Sequence, residues 1–343
     1  MTILFFRRPA IALAVAASLS ACAGGGSVSE PKVLVEMPVL KSLDTKSDKV
    51  KAHKDDAEFE TIATNGGSVH KYNVTEKVKS SWSDSYYDKT DEVVVYTTAD
   101  GKSYQFNQFN TAMRPDYSSP SKTYPTKQVM QPTEDGGKIF ACCTNSRVDQ
   151  PATYVKSSYF GAWMDKNGVV SLFSGGILAE QEYMQGGVKA GGVKGKATYD
   201  VIGYRVKNGE IVSSSYTPKD PYVQDSKEQV SRLTVNFNTG KLGGTIIGNS
   251  DFGDSVTFDN VNVEGNKFHG TAKSGGVSGK VNGAFYGKVY KGYYGDAIRE
   301  YAGKEIGGTV NFGNKNLDTV FGGSRTQVDT TTDSKDLNPV VGK

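Results

Sequence analysis

Hydrophobic and polar positions alternate along much of this chain. Between about Glu58 and Gln185, the short runs DEVVVYTT, SYQFNQF, TYVKSSYFGAWMD and VVSLFSGGILA are separated by polar turns. Ala99-Asp100-Gly101 and Asp165-Lys166-Asn167-Gly168 mark hairpins, because Asp or Asn followed by Gly tolerates positive φ. From about Gly186 the alternation becomes more regular. Leu233, Val235 and Phe237 share one face of a run, Val256 and Phe258 a face of another, and Val310 and Phe312 a face of a third. A period of two with polar residues between predicts sheets with one buried face. LGGTIIG at 242–248 nearly repeats as IGGTVNFG at 306–313, and KFHGTA, VNGAFYG and VFGGSR add strands with glycine at bends. Glycine there relieves crowding where a sheet curls into a small barrel. The predicted fold is all-β: an N-terminal antiparallel β-sandwich over 59–185, followed by an eight-stranded antiparallel β-barrel over 186–325. Side chains can fill the inside of such a barrel, so no lumenal ligand is implied.

The flanks read differently. Residues 1–21 form a signal peptide: Arg7 and Arg8 are followed by an apolar run, Ile11 to Ala17, too short for the roughly 20 residues that span a bilayer. Leu19-Ser20-Ala21-Cys22 resembles the bacterial lipobox, which makes Cys22 the acylated first residue of the mature chain. Ala23 follows where an inner-membrane retention signal of the common kind has Asp, and the lipoprotein sorting pattern then points to the outer membrane. Residues 22–58, charged and poor in aromatics, are expected to be a flexible tether, with His53 solvated inside it. The polar tail 326–343 is expected to fray.

Composition narrows the chemistry. The chain has 40 Gly in 343 residues with 19 Tyr and 15 Phe, which favours short strands and tight turns over helical bundles. Three His and three Cys leave little for multi-His metal sites, and 40 Lys+Arg against 37 Asp+Glu, spread along the chain, is not a nucleic-acid patch. No nucleophile elbow or phosphate loop occurs: Gly276-Val277-Ser278-Gly279-Lys280 fails at its last position, and the glycines of 186–196 fit no phosphate-binding spacing. The pairs Asp55-Asp56 and Asp91-Glu92 read as solvated faces. Catalysis is therefore not expected. Cys142 and Cys143 are adjacent, and a vicinal disulfide is favoured over two free thiols in an oxidising compartment. The proline-rich stretch Met113 to Lys138 is a candidate binding loop. Tyr86, Tyr87, Tyr117, Tyr124, Tyr216, Tyr222, Tyr290, Tyr293 and Tyr294 fall in polar connections, with Arg114 beside Pro115. Tyr and Arg supply contact area and anchors at interfaces, so these ten are the candidate partner-binding residues.

YFGAW, GGVKAGGVKGKATYDVIG, LTVNFNTGKLGGTI, KFHGTA, GAFYG, EIGGTVNFG and FGGSR, in that order over about 158–325, resemble the handle-to-barrel passage of transferrin-binding-protein-B-like surface lipoproteins. With room for one handle and one barrel, the chain looks most similar to the lipoprotein component of haemoglobin-haptoglobin utilisation receptors. That resemblance implies a surface-exposed, lipid-anchored monomer that captures haemoglobin or haemoglobin-haptoglobin through exposed loops. It implies a TonB-dependent outer-membrane receptor that imports the haem, a surface lipoprotein assembly modulator for export, and no cofactor beyond haem carried by the cargo. Two other ligands suit the same scaffold: a complement regulator, or free haem with His70 or His269 as axial ligand. For both histidines a structural or surface role is favoured.

Overall fold

The computed structural model describes residues 33–34, 37–108, 122–123, 129–142, 157–181, 195–217, 229–287, 290–291, 297–298 and 303–340. The N-terminal domain is built from β1 (Val50–Ala52), β2 (Phe59–Ala63), β3 (Ser68–Lys79), β4 (Tyr86–Thr97), β5 (Ser103–Gln105), β6 (Gln131–Pro132), β7 (Lys138–Cys142), β8 (Ser158–Met164) and β9 (Val170–Ile177). These form two antiparallel sheets, in the orders β1-β3-β4-β5 and β2-β9-β8-β7-β6. Val69, Tyr96 and Tyr104 of the first sheet meet Ile139, Ala141, Trp163 and Phe173 of the second in one buried cluster. Tyr96 stacks on Phe173 with ring centroids 4.0 Å apart.

The second sheet is buried on both faces. Successive residues of a strand point to opposite sides, so Ile139 and Ala141 enter the sandwich while Phe140 and Cys142 turn the other way, as do Phe160, Ala162 and Leu172. That outer face packs against Ile202, Tyr204, Val206, Ile211 and Val320 on the outside of the second domain.

The second domain contains β10 (Lys196–Lys207), β11 (Glu210–Ser213), β12 (Tyr216–Thr217), β13 (Gln229–Asn236), β14 (Lys241–Ile246), β15 (Val256–Glu264), β16 (Lys267–Ser274), β17 (Val277–Tyr286), β18 (Glu305–Asn311) and β19 (Thr319–Asp329). β13 to β19 follow one another as antiparallel neighbours, and β10 pairs with both β13 and β19, closing an eight-stranded barrel. Two further two-residue ladders join Val33–Leu34 to Lys122–Thr123 and Tyr290–Lys291 to Ala297–Ile298. Inward residues fill the barrel, among them Tyr199, Leu233, Val235, Phe237, Phe258, Phe268, Val310, Phe312 and Phe321. The face-sharing residues of the sequence pattern are thus core residues.

At one end of the barrel Arg205 is fully buried. Its Nε donates to Thr319 Oγ1 at 3.0 Å, Nη1 to Phe252 O at 2.8 Å and Asp254 O at 3.2 Å, and Nη2 to Ser274 Oγ at 2.9 Å, with the guanidinium 4.0 Å from the Phe252 ring centroid. Burial lowers its pKa to about 10, so the group stays charged at neutral pH and ties four chain segments together.

The domains are also stitched by polar contacts. The buried Glu305 carboxylate accepts from Ser157 N–H at 3.0 Å and Ser158 Oγ–H at 2.7 Å. Ala179 N–H donates to Phe285 O, Gly287 N–H to Ile177 O, and Lys267 Nζ lies 2.9 Å from Glu60 Oε1. Gly322 allows the close approach: a Cβ there would lie 2.4 Å from two ring carbons of Phe160.

Both flanking expectations need correction. The tether predicted through residue 58 is part of the fold from residue 37: Leu40 is buried, Leu43 bridges to Ser103, and β1 extends the first sheet. The tail predicted to fray begins within β19 and then crosses the outside of the barrel. Lys196 Nζ meets Asp336 Oδ1 at 2.6 Å, Asn236 Nδ2 donates to Ser334 O and Asp336 O, and Val340 N–H donates to Thr198 Oγ1 at 2.8 Å. Polar residues can be held as firmly as apolar ones when each finds a partner. The first barrel strand starts at Lys196, ten residues after the expected boundary, and the last ends at Asp329.

Candidate binding surface

β3 and β4 form a hairpin paired over twelve residues, from Ser68 with Thr97 to Lys79 with Tyr86. β1 flanks only Tyr72–Val74, and β5 only Val95–Thr97. Among the described residues the outer part therefore stands as a two-stranded arm. Cross-strand pairs hold it: Glu76 faces Lys89, Lys77 faces Asp88, Val78 faces Tyr87, and the Thr75 and Thr90 hydroxyls are 2.9 Å apart. Ser80 N–H donates to Ser85 O, and Lys79 Nζ meets Asp84 Oδ1 at 2.8 Å across the turn. On this arm Trp82 is 96% exposed, Tyr86 66% and Tyr87 51%. With Tyr86 and Tyr87 near it, the exposed indole makes the arm a candidate interaction surface.

The root of the arm is a charged network. His53 is buried, correcting its expected solvation, because β3 and β4 close over the segment that carries it. Its Nδ1 accepts from Asp55 N–H at 3.1 Å, which leaves the proton on Nε2 to donate to Glu92 Oε1 at 3.1 Å. Lys71 Nζ lies 2.6 Å from Glu92 Oε2, and that bond holds the Glu92 carboxyl below the usual range. Asp55 and Asp56 are likewise half-buried in place of the expected solvated face: Asp56 accepts from Lys71 N–H at 2.7 Å and lies 3.3 Å from His70 Nδ1. Ser68 Oγ is 2.7 Å from His70 Nε2, so both ring nitrogens of His70 have partners. His269 stands on the barrel wall, half exposed, 3.7 Å from Glu264. Among the described residues no group of three His, Cys, Asp or Glu side chains is placed to hold a metal ion.

Of the predicted partner-binding residues, the structure brings Tyr86 and Tyr87 together on the arm. Tyr216 is half-buried and packs against the cluster between the domains. Tyr290 lies in a two-residue ladder. Arg114, Tyr117, Tyr124, Tyr222, Tyr293 and Tyr294 lie outside the described residues, as do Cys22 and Cys143. Cys142 is disulfide-bonded and accepts from Tyr204 Oη–H at 3.6 Å. Sequence reasoning missed Trp82, whose signal was a large apolar residue alone in the turn SSWSDS.

A family model described as haemoglobin-haptoglobin utilisation, porphyrin transporter (HpuA) matches residues 92–340. The chain belongs to the HpuA family. The apo crystal structure of haemoglobin receptor HpuA from Kingella denitrificans is 43% identical, covering 90% of this chain and 100% of that one, with a TM-score of 0.78. The same HpuA in complex with human haemoglobin matches at 43% identity over 89% of this chain and 100% of that one, with a TM-score of 0.75. Isotype 1 transferrin binding protein B from serogroup B Neisseria meningitidis matches at 17% identity over 75% of this chain and 52% of that one, with a TM-score of 0.36. No curated protein matches. The HpuA family match begins at Glu92, so the outer part of the arm, from Glu76 to Lys89, precedes it.

Proposed function

We propose that this chain captures haemoglobin, alone or with haptoglobin, at the bacterial surface. The observation that carries the reading is the 43% identity, over nine-tenths of the chain, to an HpuA crystallised with human haemoglobin. In this reading Cys22 carries the lipid anchor in the outer membrane, the protein faces outward, and an integral TonB-dependent receptor extracts and imports the haem. The chain itself contributes binding surface, with no catalysis and no cofactor of its own. The partners held by both ring nitrogens of His70 support capture of intact cargo over ligation of free haem by that residue. Immobilised residues 23–343 are expected to bind haemoglobin or haemoglobin-haptoglobin in interferometry at physiological salt, and to ignore transferrin and a complement regulator. Silence on both haemoglobin forms would overturn the reading and leave the fold intact.

A further inference from the structure

The N-terminal part of the chain joins the fold at one end of the sandwich. Leu40 N–H donates to Pro132 O and Glu134 N–H to Leu40 O, both at 2.9 Å, and Leu43 N–H donates to Ser103 O at 2.7 Å. The connections 64–67, 98–102, 133–137 and 165–169 gather at this end. Gly66 O accepts from Ser171 Oγ–H at 2.8 Å, and a Cβ on Gly66 would lie 3.2 Å from Ala99 Cβ. A Cβ on Gly136 would lie 3.6 Å from Lys166 Cβ. The barrel adds the turn between β10 and β11: Lys138 Nζ meets Glu210 Oε1 at 3.2 Å, and a Cβ on Gly209 would lie 3.5 Å from Met164 Cε. Val39 and Val169, more than half exposed, stand at the same end.

The arm starts at this end and runs away from it. Ser68 pairs with Thr97, next to the 98–102 turn, and the ladder continues to Lys79 with Tyr86. Eleven residue steps from Ser68 to Lys79, at about 3.3 Å each, place the arm's turn about 36 Å from the end where the chain enters. Cys22 and Met37 are fifteen residues apart, which is at most about 54 Å of chain. We propose that the end gathering these connections faces the outer membrane and that the arm's turn, with Trp82, is held farthest from it. This placement rests on the lipid anchor at Cys22 proposed above. A link of that length keeps the entry end near the bilayer, and bringing Trp82 there instead would draw most of the link straight at the cost of its conformational entropy. Charge does not do the holding. Asp100 with Lys102 and Asp165 with Lys166 put both signs at the entry end, so the orientation should not depend on salt. The arm itself suits a bilayer poorly, because Asp84 and Asp88 flank Trp82 and would have to leave water. The candidate interaction surface of the arm is thereby presented to the medium.

Energy transfer to a headgroup-labelled lipid tests the orientation. Lys166→Cys and Ser83→Cys, both at exposed positions, each take a maleimide donor dye without reducing agent, and the parent labelled in parallel sets the background. The chain purified from bacterial membranes is placed in phosphatidylglycerol–phosphatidylethanolamine vesicles, and residues 23–343 are held on nickel-chelating vesicles by a polyhistidine tag before Ala23. On both, transfer from position 166 is expected to exceed that from position 83 about threefold or more, since the arm adds about 36 Å, and the ratio should persist from low to high salt. Equal transfer from the two positions, or more from position 83, on the tagged chain would overturn the proposal through its geometry. A ratio that collapses at high salt would overturn it by showing that charge, and not the link, sets the orientation. Failure of the purified chain to enter vesicles, with the expected ratio kept on the tagged chain, would overturn it through the anchor at Cys22.

Discussion

In the barrel every strand has two neighbours, whereas beyond Glu76 and Lys89 the strands of the arm have only each other among the described residues. Barrel closure removes strand edges and turns alternate residues into a filled core: Leu233, Val235, Phe258 and Phe268 are at most 2% exposed. The arm buries almost nothing. Its stability comes from facing charges, paired hydroxyls and a serine-rich turn, each a small contribution in water. The same backbone ladder thus serves as scaffold in one region and as presented surface in the other, and the two should respond oppositely to substitution.

The largest expected effect lies at the barrel end. Arg205→Ala removes a fully buried side chain and orphans the carbonyls of Phe252 and Asp254. A cavity with unsatisfied acceptors costs about 4 kcal/mol, read from denaturant unfolding. Arg205→Lys should recover little, because a single ammonium cannot reach both carbonyls, Ser274 and Thr319. A full recovery would mean that charge alone, and not the fork of donors, closes this end.

A smaller effect belongs to the tail that crosses the barrel wall. Bonds from Lys196 and Ser334 hold the Asp336 carboxyl down to about 2, below its usual 3.8. Its folded pKa is depressed, so its contribution to stability is present above about pH 4 and is lost as pH falls through 2. Amides of residues 332–340 should lose hydrogen-exchange protection in that window, ahead of the barrel strands. In Asp336→Asn they should be equally exposed at both ends of it. Protection in the parent that persists to pH 2 would show that Asn236 and Thr198 hold the tail unaided.

Much of the barrel was legible because its signal is local: Leu233-x-Val235-x-Phe237 states which face is inward. The handle was less so. KIFAC at 138–142 has no polar alternation because it is buried between two partners, the first sheet and the barrel wall, and period two cannot name either. His53 sits in a charged run yet is buried, since strands 18 and 39 residues further on, at Lys71 and Glu92, close over it. Trp82 was hidden by its neighbours: a serine-rich turn reads as solvent-facing whether or not it carries an indole. Polar tails and heads are the common failure, because low hydrophobicity signals a lack of core and says nothing about specific hydrogen-bond partners such as those of Val340 and Asp336.

The smallest expected effect on global stability falls on the arm. Val78 and Tyr87 face each other on one side of it, and Tyr87 is half exposed. Replacing both by Ser removes an apolar cross-strand contact outside every buried cluster, so global stability should shift by less than about 0.5 kcal/mol. Local opening should respond far more, because beyond Glu76 the ladder has no second neighbour among the described residues to hold it. Hydrogen exchange of Glu76 to Lys89 should then approach the rate of an unstructured chain in the double variant, while Val93 to Tyr96, buried in the sandwich, keep their protection. A matching loss of protection at Val95 or Tyr96 would show that arm and sandwich open as one unit, and that the arm is part of the scaffold after all.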